Sequence, residues 1–369
     1  MAKEGVDHRV AVTPEITEKY IAAGHNVTVE AGAGNLAGIT DDNYVNAGAR
    51  IATVENEITT ADVVISVNPL SENVIDRLAR GTIVVSIQEP FKHPNNMKLF
   101  IDRGITAFAL EFIPRTTRAQ YMDVLSSQAC LAGYKAVIEA AHYLDKGFPL
   151  LMTSAGTVPA ARVLIIGAGV AGLQAIATAK RLGAIVTAFD VRTAAKEQVE
   201  SLGAKFVDVE SQEIANGVYA TEMSDSYKLA QEEKLRSVLP GCDVVITTAQ
   251  IPGKKAPVIV KRDMVESMKR GSIIVDLASK TGGNCEYTVP GETAVVGGVT
   301  IIAFNSILDL IATDASRLFA KNVFAFLEFL LQKVGECGID AAAPAEDIIS
   351  KTLITHEGKV RNDRIQALV

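Results

Sequence analysis

The sequence predicts an α/β protein of two doubly wound, parallel-sheet domains, the second inserted into the first, joined by long helices with a cleft between them. Three observations predict it. Short β-branched runs alternate with helical patterns along most of the chain, the pattern of parallel strands joined by crossover helices. One such run passes directly into Gly167-x-Gly169-x-x-Gly172 and then a helix. Two long helical stretches, one from about Asp123 and one from Ile307 to Val334, bracket the second series of strands.

The first series opens at Thr13-Pro14-Glu15, which reads as a helix start: a Thr N-cap, Pro in the first turn, and an acid near the positive end of the helix dipole. Gly24 closes that helix. Val27–Glu30, Asp62–Val67, Thr82–Ile87 and Ile105–Ala109 read as strands, with helices near Asp41–Ala47, Glu72–Ala79 and Asn95–Asp102. Arg115–Asp145 has no strand character. The second series is Arg162–Ile166, Ile185–Asp190, Lys205–Val207, Asp243–Thr248, Ser272–Asp276 and Thr300–Ala303. Leu318, Phe319, Val323, Phe326, Leu327 and Leu330 then recur at helical spacing. The economical division is a discontinuous first domain, residues 1–125 with 308–369, and a nucleotide-binding domain over residues 126–307. Ala341–Ala345 reads as a short Ala-rich linker.

A chain of 369 residues is long enough for two cores. Its 48% hydrophobic and 21% charged residues are ordinary for a soluble globular protein. A net charge of -7, with no basic run interleaved with aromatics, argues against a nucleic-acid partner. Cys130, Cys242, Cys285 and Cys337 are scattered, with no Cys-x-x-Cys, and no two histidines sit at metal-ligand spacing. Reduced thiols in a cytoplasmic protein and no metal site are the expectation. The start lacks the apolar stretch of a secretory signal. A membrane span needs about 20 apolar residues. Val163–Ala179 is broken by turn glycines and Val295–Phe304 is too short, so the chain itself is not expected to cross a membrane.

The glycine turn carries the chemistry. Val163–Ile166 is a buried-strand run that enters Gly167, and a helix follows over Leu173–Leu182. Gly167 permits the tight turn, Gly169 lets a pyrophosphate approach the backbone, and Gly172 lets the helix pack on the sheet. The helix N-terminus offers free amides and a positive dipole end to phosphates. The next strand ends in Asp190, where a carboxylate would accept hydrogen bonds from the adenosine ribose. That acid favours NAD(H), because a 2′-phosphate would face a like charge. Arg192 keeps NADP(H) as the alternative, and a turn of this shape that binds no dinucleotide is the other.

Arg115-Thr116-Thr117-Arg118-Ala119-Gln120-Tyr121-Met122-Asp123, continuing through Val124–Gln128 to Ala132–Ala136, resembles the signature loop and helix of the NAD(H)-binding first domain, the soluble alpha-1 subunit, of proton-translocating nicotinamide nucleotide transhydrogenases. Arg9–Pro14, Ala155–Pro159, Gly217–Met223, Thr247–Lys254 and Gly282–Asn284 match the same family, so the resemblance covers nearly the whole chain. It implies a Re/Si-specific enzyme subunit that binds NAD(H) and exchanges hydride with NADP(H) on a separate subunit. A membrane-spanning subunit would couple that exchange to proton movement. It further implies a homodimer peripheral to the cytoplasmic face of a bacterial membrane. No membrane segment follows residues 354–360, so the NADP(H)-binding and membrane components are expected as separate polypeptides.

By the same resemblance, Arg115, Gln120 and Asp123 would hold the nicotinamide and form the face toward the NADP(H) component, with Arg118 and Ser126 as further contacts. Val170, Asp190, Val191 and Arg192 would contact pyrophosphate and ribose. Val218, Tyr219 and Met223 would belong to a loop closing over the nucleotide, with Gln231 near the adenine and Gln250 in the site. Hydride transfer between nicotinamides needs no side-chain acid or base, and no Ser-His-Asp set, zinc motif or paired catalytic carboxylates are found. Related alanine dehydrogenases need a Lys and a His near the substrate. Here Ser66 stands at the Lys position, and the strand Val84–Gln88 offers no His. Further departures are a missing or truncated first strand, Leu308 and Leu310 at family Pro and Arg positions, Gln250 for a common Leu, and Lys280 at a usually acidic or amide position. They keep open a non-catalytic NAD(H)-binding module.

Overall fold

The structure, a computed structural model, describes residues 7–52, 56–209, 225–251, 254–340, 342 and 347–368. In chain order its helices and strands begin with α1 (Pro14–Ala22), β1 (Thr28–Glu30), α2 (Asp41–Asn46), β2 (Arg50–Ala52), α3 (Asn56–Thr59), β3 (Val63–Ile65), α4 (Glu72–Arg77), β4 (Ile83–Ser86), α5 (Pro94–Arg103), β5 (Thr106–Ala109) and the long α6 (Val124–Tyr143). Then come β6 (Leu151–Thr153), β7 (Gly156–Val158), β8 (Arg162–Ile166), α7 (Val170–Arg181), β9 (Ile185–Phe189), α8 (Ala195–Ser201), β10 (Lys205–Phe206), α9 (Asp225–Val238) and β11 (Val244–Thr247). The series closes with α10 (Arg262–Glu266), β12 (Ile273–Asp276), β13 (Thr293–Val296), β14 (Val299–Ile302), α11 (Ala312–Cys337), α12 (Asp347–Thr352), β15 (Leu353–His356) and β16 (Lys359–Val360). The chain divides into two compact units, Met1–Gln128 with Ile311–Val369, and Ala129–Leu310.

In the first unit, β3, β4 and β5 lie parallel, and β15 and β16 add antiparallel strands at one side, in the order β16-β15-β5-β4-β3. The parallel pair β1–β2 forms a separate small sheet. The five-stranded sheet is therefore mixed rather than wholly parallel. Its core pairs Phe108 of β5 with Phe326 of α11, ring centroids 5.7 Å apart and edge-on, a favourable aromatic geometry. The helical repeat of α11 is what buries it: Phe319, Val323, Phe326, Leu327 and Leu330 all face that core. Helix α2 begins with a capping box between Thr40 and Asn43. Helix α1 starts at the expected place with Pro14 in its first turn, but the Thr13 hydroxyl does not cap it and is buried without a partner.

The second unit carries a seven-stranded sheet in the order β10-β9-β8-β11-β12-β14-β13, parallel except for β13 at its edge. Strand β8 shows why the sequence reads as a continuous apolar run. Val163 and Ile165 face one core while Leu164 and Ile166 face the other, as happens when helices cover both faces of a parallel sheet. The strand order reverses between β8 and β11, which creates a switch point at the carboxyl ends of those strands. Beside this sheet, β6 and β7 form a two-stranded hairpin exposed along its length, with Met152 81% exposed. Among the described residues no helix is long and apolar enough to cross a membrane.

Candidate functional site

The glycine turn leaves β8 at the switch point of the second unit. Gly167 has φ 96°, a conformation that costs an L side chain about 1 kcal/mol or more. A Cβ there would also lie 2.6 Å from Thr248 Oγ1, whose hydroxyl donates to the Gly167 carbonyl at 2.9 Å. A Cβ on Gly172 would meet the Gly167 carbonyl oxygen at 1.8 Å, so α7 sits against the turn at a distance only glycine allows. Gly169 differs: a Cβ there meets nothing within 4 Å. It is the N-cap of α7, whose first residue is the exposed Val170. Open space in front of a helix N-terminus fits a dinucleotide pyrophosphate.

Asp190, at the end of β9, is 8% exposed and heavily engaged. Its Oδ2 accepts from the Ala168 amide inside the glycine turn at 2.7 Å. The Arg192 guanidinium forks onto both carboxylate oxygens at 2.9 Å, and the Arg192 amide donates to Oδ1 at 2.8 Å. Those bonds raise the Arg192 pKa and keep it charged. Asp190 thus braces the turn and pairs with Arg192, a cation that would otherwise favour a 2′-phosphate. Val191 lies between them, half-buried.

The neighbouring strand ends are fixed by two residues that sequence reasoning missed. Asp276, buried at the end of β12, accepts from the amides of Ala278, Asn284 and Cys285 and from the hydroxyls of Thr247 and Thr288. Asn284 then bridges to the loop after β11: its Oδ1 accepts from the Ala249 amide, and its Nδ2 donates to the carbonyls of Ala249 and Pro257. Gln250 in that loop is exposed and donates to the Leu277 carbonyl at 3.1 Å. The only sequence signal was the Gly282-Gly283-Asn284 turn; both glycines have positive φ. Gly133, which lies in the quoted Ala132–Ala136 stretch, has a packing role that the sequence did not show. A Cβ on it would lie 2.0 Å from the Ala171 carbonyl, so α6 and the first turn of α7 touch backbone to backbone.

In the first unit, residues 115–123 run from β5 to α6 through the 3-10 turn Thr117–Met122. Ala119 and Met122 are buried as anchors, while Arg115, Arg118, Gln120 and Tyr121 are exposed. Arg118 lies over the Phe329 ring at 5.3 Å. Asp123 caps α6, accepting from the Ser126 amide at 2.9 Å and the Ser126 hydroxyl at 2.6 Å. Asn322 of α11 donates to the Tyr121 carbonyl and accepts from the Ser127 hydroxyl, both at 2.7 Å, and so pins the turn to the helix. Gln128 accepts from Arg9 at 3.0 Å. These bonds pin the segment, and its Arg115, Arg118 and Gln120 side chains are exposed.

The structure thus brings Arg115, Arg118, Gln120, Asp123 and Ser126 together in one unit, and Gly167, Gly169, Val170, Gly172, Asp190, Val191, Arg192 and Gln250 together in the other. Gln231 is half-buried on α9. Val218, Tyr219 and Met223 lie outside the described residues. Leu308 and Leu310 fall in the 3-10 turn Ile307–Ile311, with Leu310 exposed. Ser66 donates to the Asn68 carbonyl at 2.7 Å, and the Gln88 side-chain amide is buried without a partner. Asp340, His356 and Glu357 bring ligand atoms within 4.8 Å of one another, with Asp340 held by Arg361 at 2.6 Å.

A doubly wound unit with a glycine-rich turn at its switch point and an acid at the adjoining strand end defines the class of Rossmann-type nucleotide-binding proteins. The chain belongs to the alanine dehydrogenase/PNT family, matching its N-terminal domain over residues 2–132 and its C-terminal domain over residues 136–363. It is 46% identical over 363 residues to an NAD(P) transhydrogenase alpha subunit from Rickettsia prowazekii, covering 96% of this chain and 93% of the relative. A solved transhydrogenase from Sinorhizobium meliloti is 43% identical, covers 98% of each chain and superposes with a TM-score of 0.85. An alanine dehydrogenase from Methanococcus maripaludis is 33% identical over 97% of this chain and 92% of its own length.

Proposed function

We propose that the chain is the NAD(H)-binding subunit of a proton-translocating transhydrogenase. It takes hydride from NADH and passes it to NADP+ on a separate subunit, and a membrane subunit couples the exchange to proton translocation. The observation that carries this reading is the glycine turn at the switch point, open at Gly169 and braced by Asp190. Relatives named as transhydrogenase alpha subunits support a partner-dependent role. The chain would act as a homodimer peripheral to the cytoplasmic membrane face, its two units serving as a nucleotide domain and a discontinuous first domain.

Bound NADH supplies the hydride at its C4. No proton moves at the reacting carbons, so the residues place, orient and exclude water. The α7 N-terminus would take the pyrophosphate and Asp190 the adenosine ribose, with Arg192 yielding part of its grip on the carboxylate. Val170 and Val191 would line that path, with Gln231 and Gln250 as further contacts; Val218 and Tyr219, which the resemblance adds, lie outside the described residues. Arg115, Gln120 and Asp123, helped by Arg118 and Ser126, would hold the nicotinamide and face the partner. Amide and guanidinium donors suit a carboxamide, and the pinned turn keeps them in place.

An alanine dehydrogenase activity is the second reading, favoured by the relative of that name. The strand ends of the first unit carry Ser66 and Gln88, neither of which can move a proton at neutral pH. Mixing the chain with an NADP(H)-binding partner should give hydride exchange that requires both proteins. Alanine-dependent NADH production by this chain alone would favour the second reading, and NADH binding without exchange would leave a non-catalytic module.

A further inference from the structure

Glu111 stands at the root of the 115–123 segment, in the 3-10 turn Leu110–Phe112 that leaves β5. Its carboxylate reaches across to the exit of the adjacent strand β4. Oε1 accepts from the Glu89 amide at 2.6 Å and the Gln88 amide at 3.1 Å, and Oε2 also lies 3.1 Å from the Gln88 nitrogen. Glu89 is held at φ 42°, one of two non-glycine residues with positive φ among the described residues. Such a conformation persists only where surrounding bonds enforce it. Here one carboxylate ties the exits of two parallel strands together, four residues before Arg115.

We propose that Glu111 is a positioning residue: by gripping the Gln88 and Glu89 amides it sets where the Arg115–Asp123 segment leaves the sheet, and so where Gln120 and Arg115 hold the nicotinamide. This rests on the transhydrogenase reading above. The grip is charge-assisted and weakens to ordinary hydrogen bonds when the acid is protonated. The residue is part-buried, but its carboxyl lies in the interior. Burial pushes its pKa up to about 7, against the lowering effect of the backbone donors; Glu89 adds a further raise. Lys92 pairs with Glu89 at 2.6 Å, and Asp347 and Lys351 of the packed helix α12 pair with each other at 3.0 Å. Arg364 lies over the neighbouring Phe112 ring.

The linkage has a definite sign. A folded pKa above the ordinary 4.5 means that stability contributed by the protonated acid is present below 4.5 and lost as pH rises through about 7. Global stability thus favours the protonated acid, while the bonds that fix the Gln88 and Glu89 amides are strongest in the ionised form.

The test compares the full chain with Glu111→Gln in hydride exchange with the NADP(H)-binding partner on both sides of pH 7. NADH affinity and deuterium uptake at residues 115–123 are measured alongside. Wild-type exchange should fall about tenfold as pH drops through 7, a loss equal to about one charge-assisted hydrogen bond. E111Q should stay at the lower rate throughout, with unchanged NADH affinity. Uptake, corrected for intrinsic rate, should rise below pH 7 in the wild type, through local openings that free the segment while the carboxyl stays buried, and stay high in the variant. If E111Q does not fold, the wild-type uptake profile alone decides. An E111Q rate profile and uptake matching the wild type overturn the proposal. NADH binding with no exchange in the wild type instead overturns the transhydrogenase reading, while uptake still decides the role of Glu111.

Discussion

Asp190 already satisfies a backbone amide and a guanidinium before any ribose arrives. Asp190→Ala should therefore both loosen the glycine turn and remove the ribose acceptor. Its NADH dissociation constant should rise about tenfold or more, the range for losing a hydrogen bond to a charged group. Titration of NADH fluorescence checks this, and an unchanged constant would take Asp190 out of the site. Gln120, exposed on a pinned turn, predicts the opposite split. Gln120→Asn should leave NADH affinity within about twofold while slowing hydride exchange more than about tenfold, because shortening the side chain moves ring placement and not phosphate grip. Single-turnover exchange at saturating NADH reads it directly, and unchanged exchange would remove Gln120 from the nicotinamide contacts.

At the scale of elements, the turn between β8 and α7 separates packing from binding. Gly172→Ala drives a methyl into the Gly167 carbonyl, so α7 must shift and both thermal stability and NADH binding should fall, stability by about 1–3 kcal/mol. Gly169→Ala meets open space at an ordinary φ of -77°, so the protein should keep its melting temperature while losing NADH affinity. Equal affinity in Gly169→Ala and the wild type would place the pyrophosphate elsewhere. The same scale shows what was legible. Strands β8, β9, β11 and β12 were readable because buried strands carry long β-branched runs. Strands β2, β13 and β16 and the β6–β7 hairpin were not, since they are only two to four residues long and lack a periodic signal. Strand β15 is buried but joins β5 from far along the chain, a pairing no local pattern encodes.

For the whole molecule, the parallel-rich α/β class was legible from alternation and one glycine turn, and the family from the Arg115–Asp123 segment. The supports behind the candidate site were not. Asp276, Asn284 and Asn322 act through hydrogen bonds to other elements, and Gly133 through a helix contact, so the Gly282–Asn284 turn and the Ala132–Ala136 match mark the places of Asn284 and Gly133 without showing their partners. Asp123 and Ser126 were expected as nicotinamide contacts, and the fold gives them a helix cap to hold as well. On the proposed function, one polypeptide holds NADH and another receives its hydride. The most direct measurement mixes the chain with its NADP(H)-binding partner and NADH deuterated at C4. Direct transfer predicts deuterium at C4 of the NADPH formed, with none lost to water and no product when either protein is omitted. NADPH carrying solvent hydrogen, or NADH consumed without the partner, would contradict it.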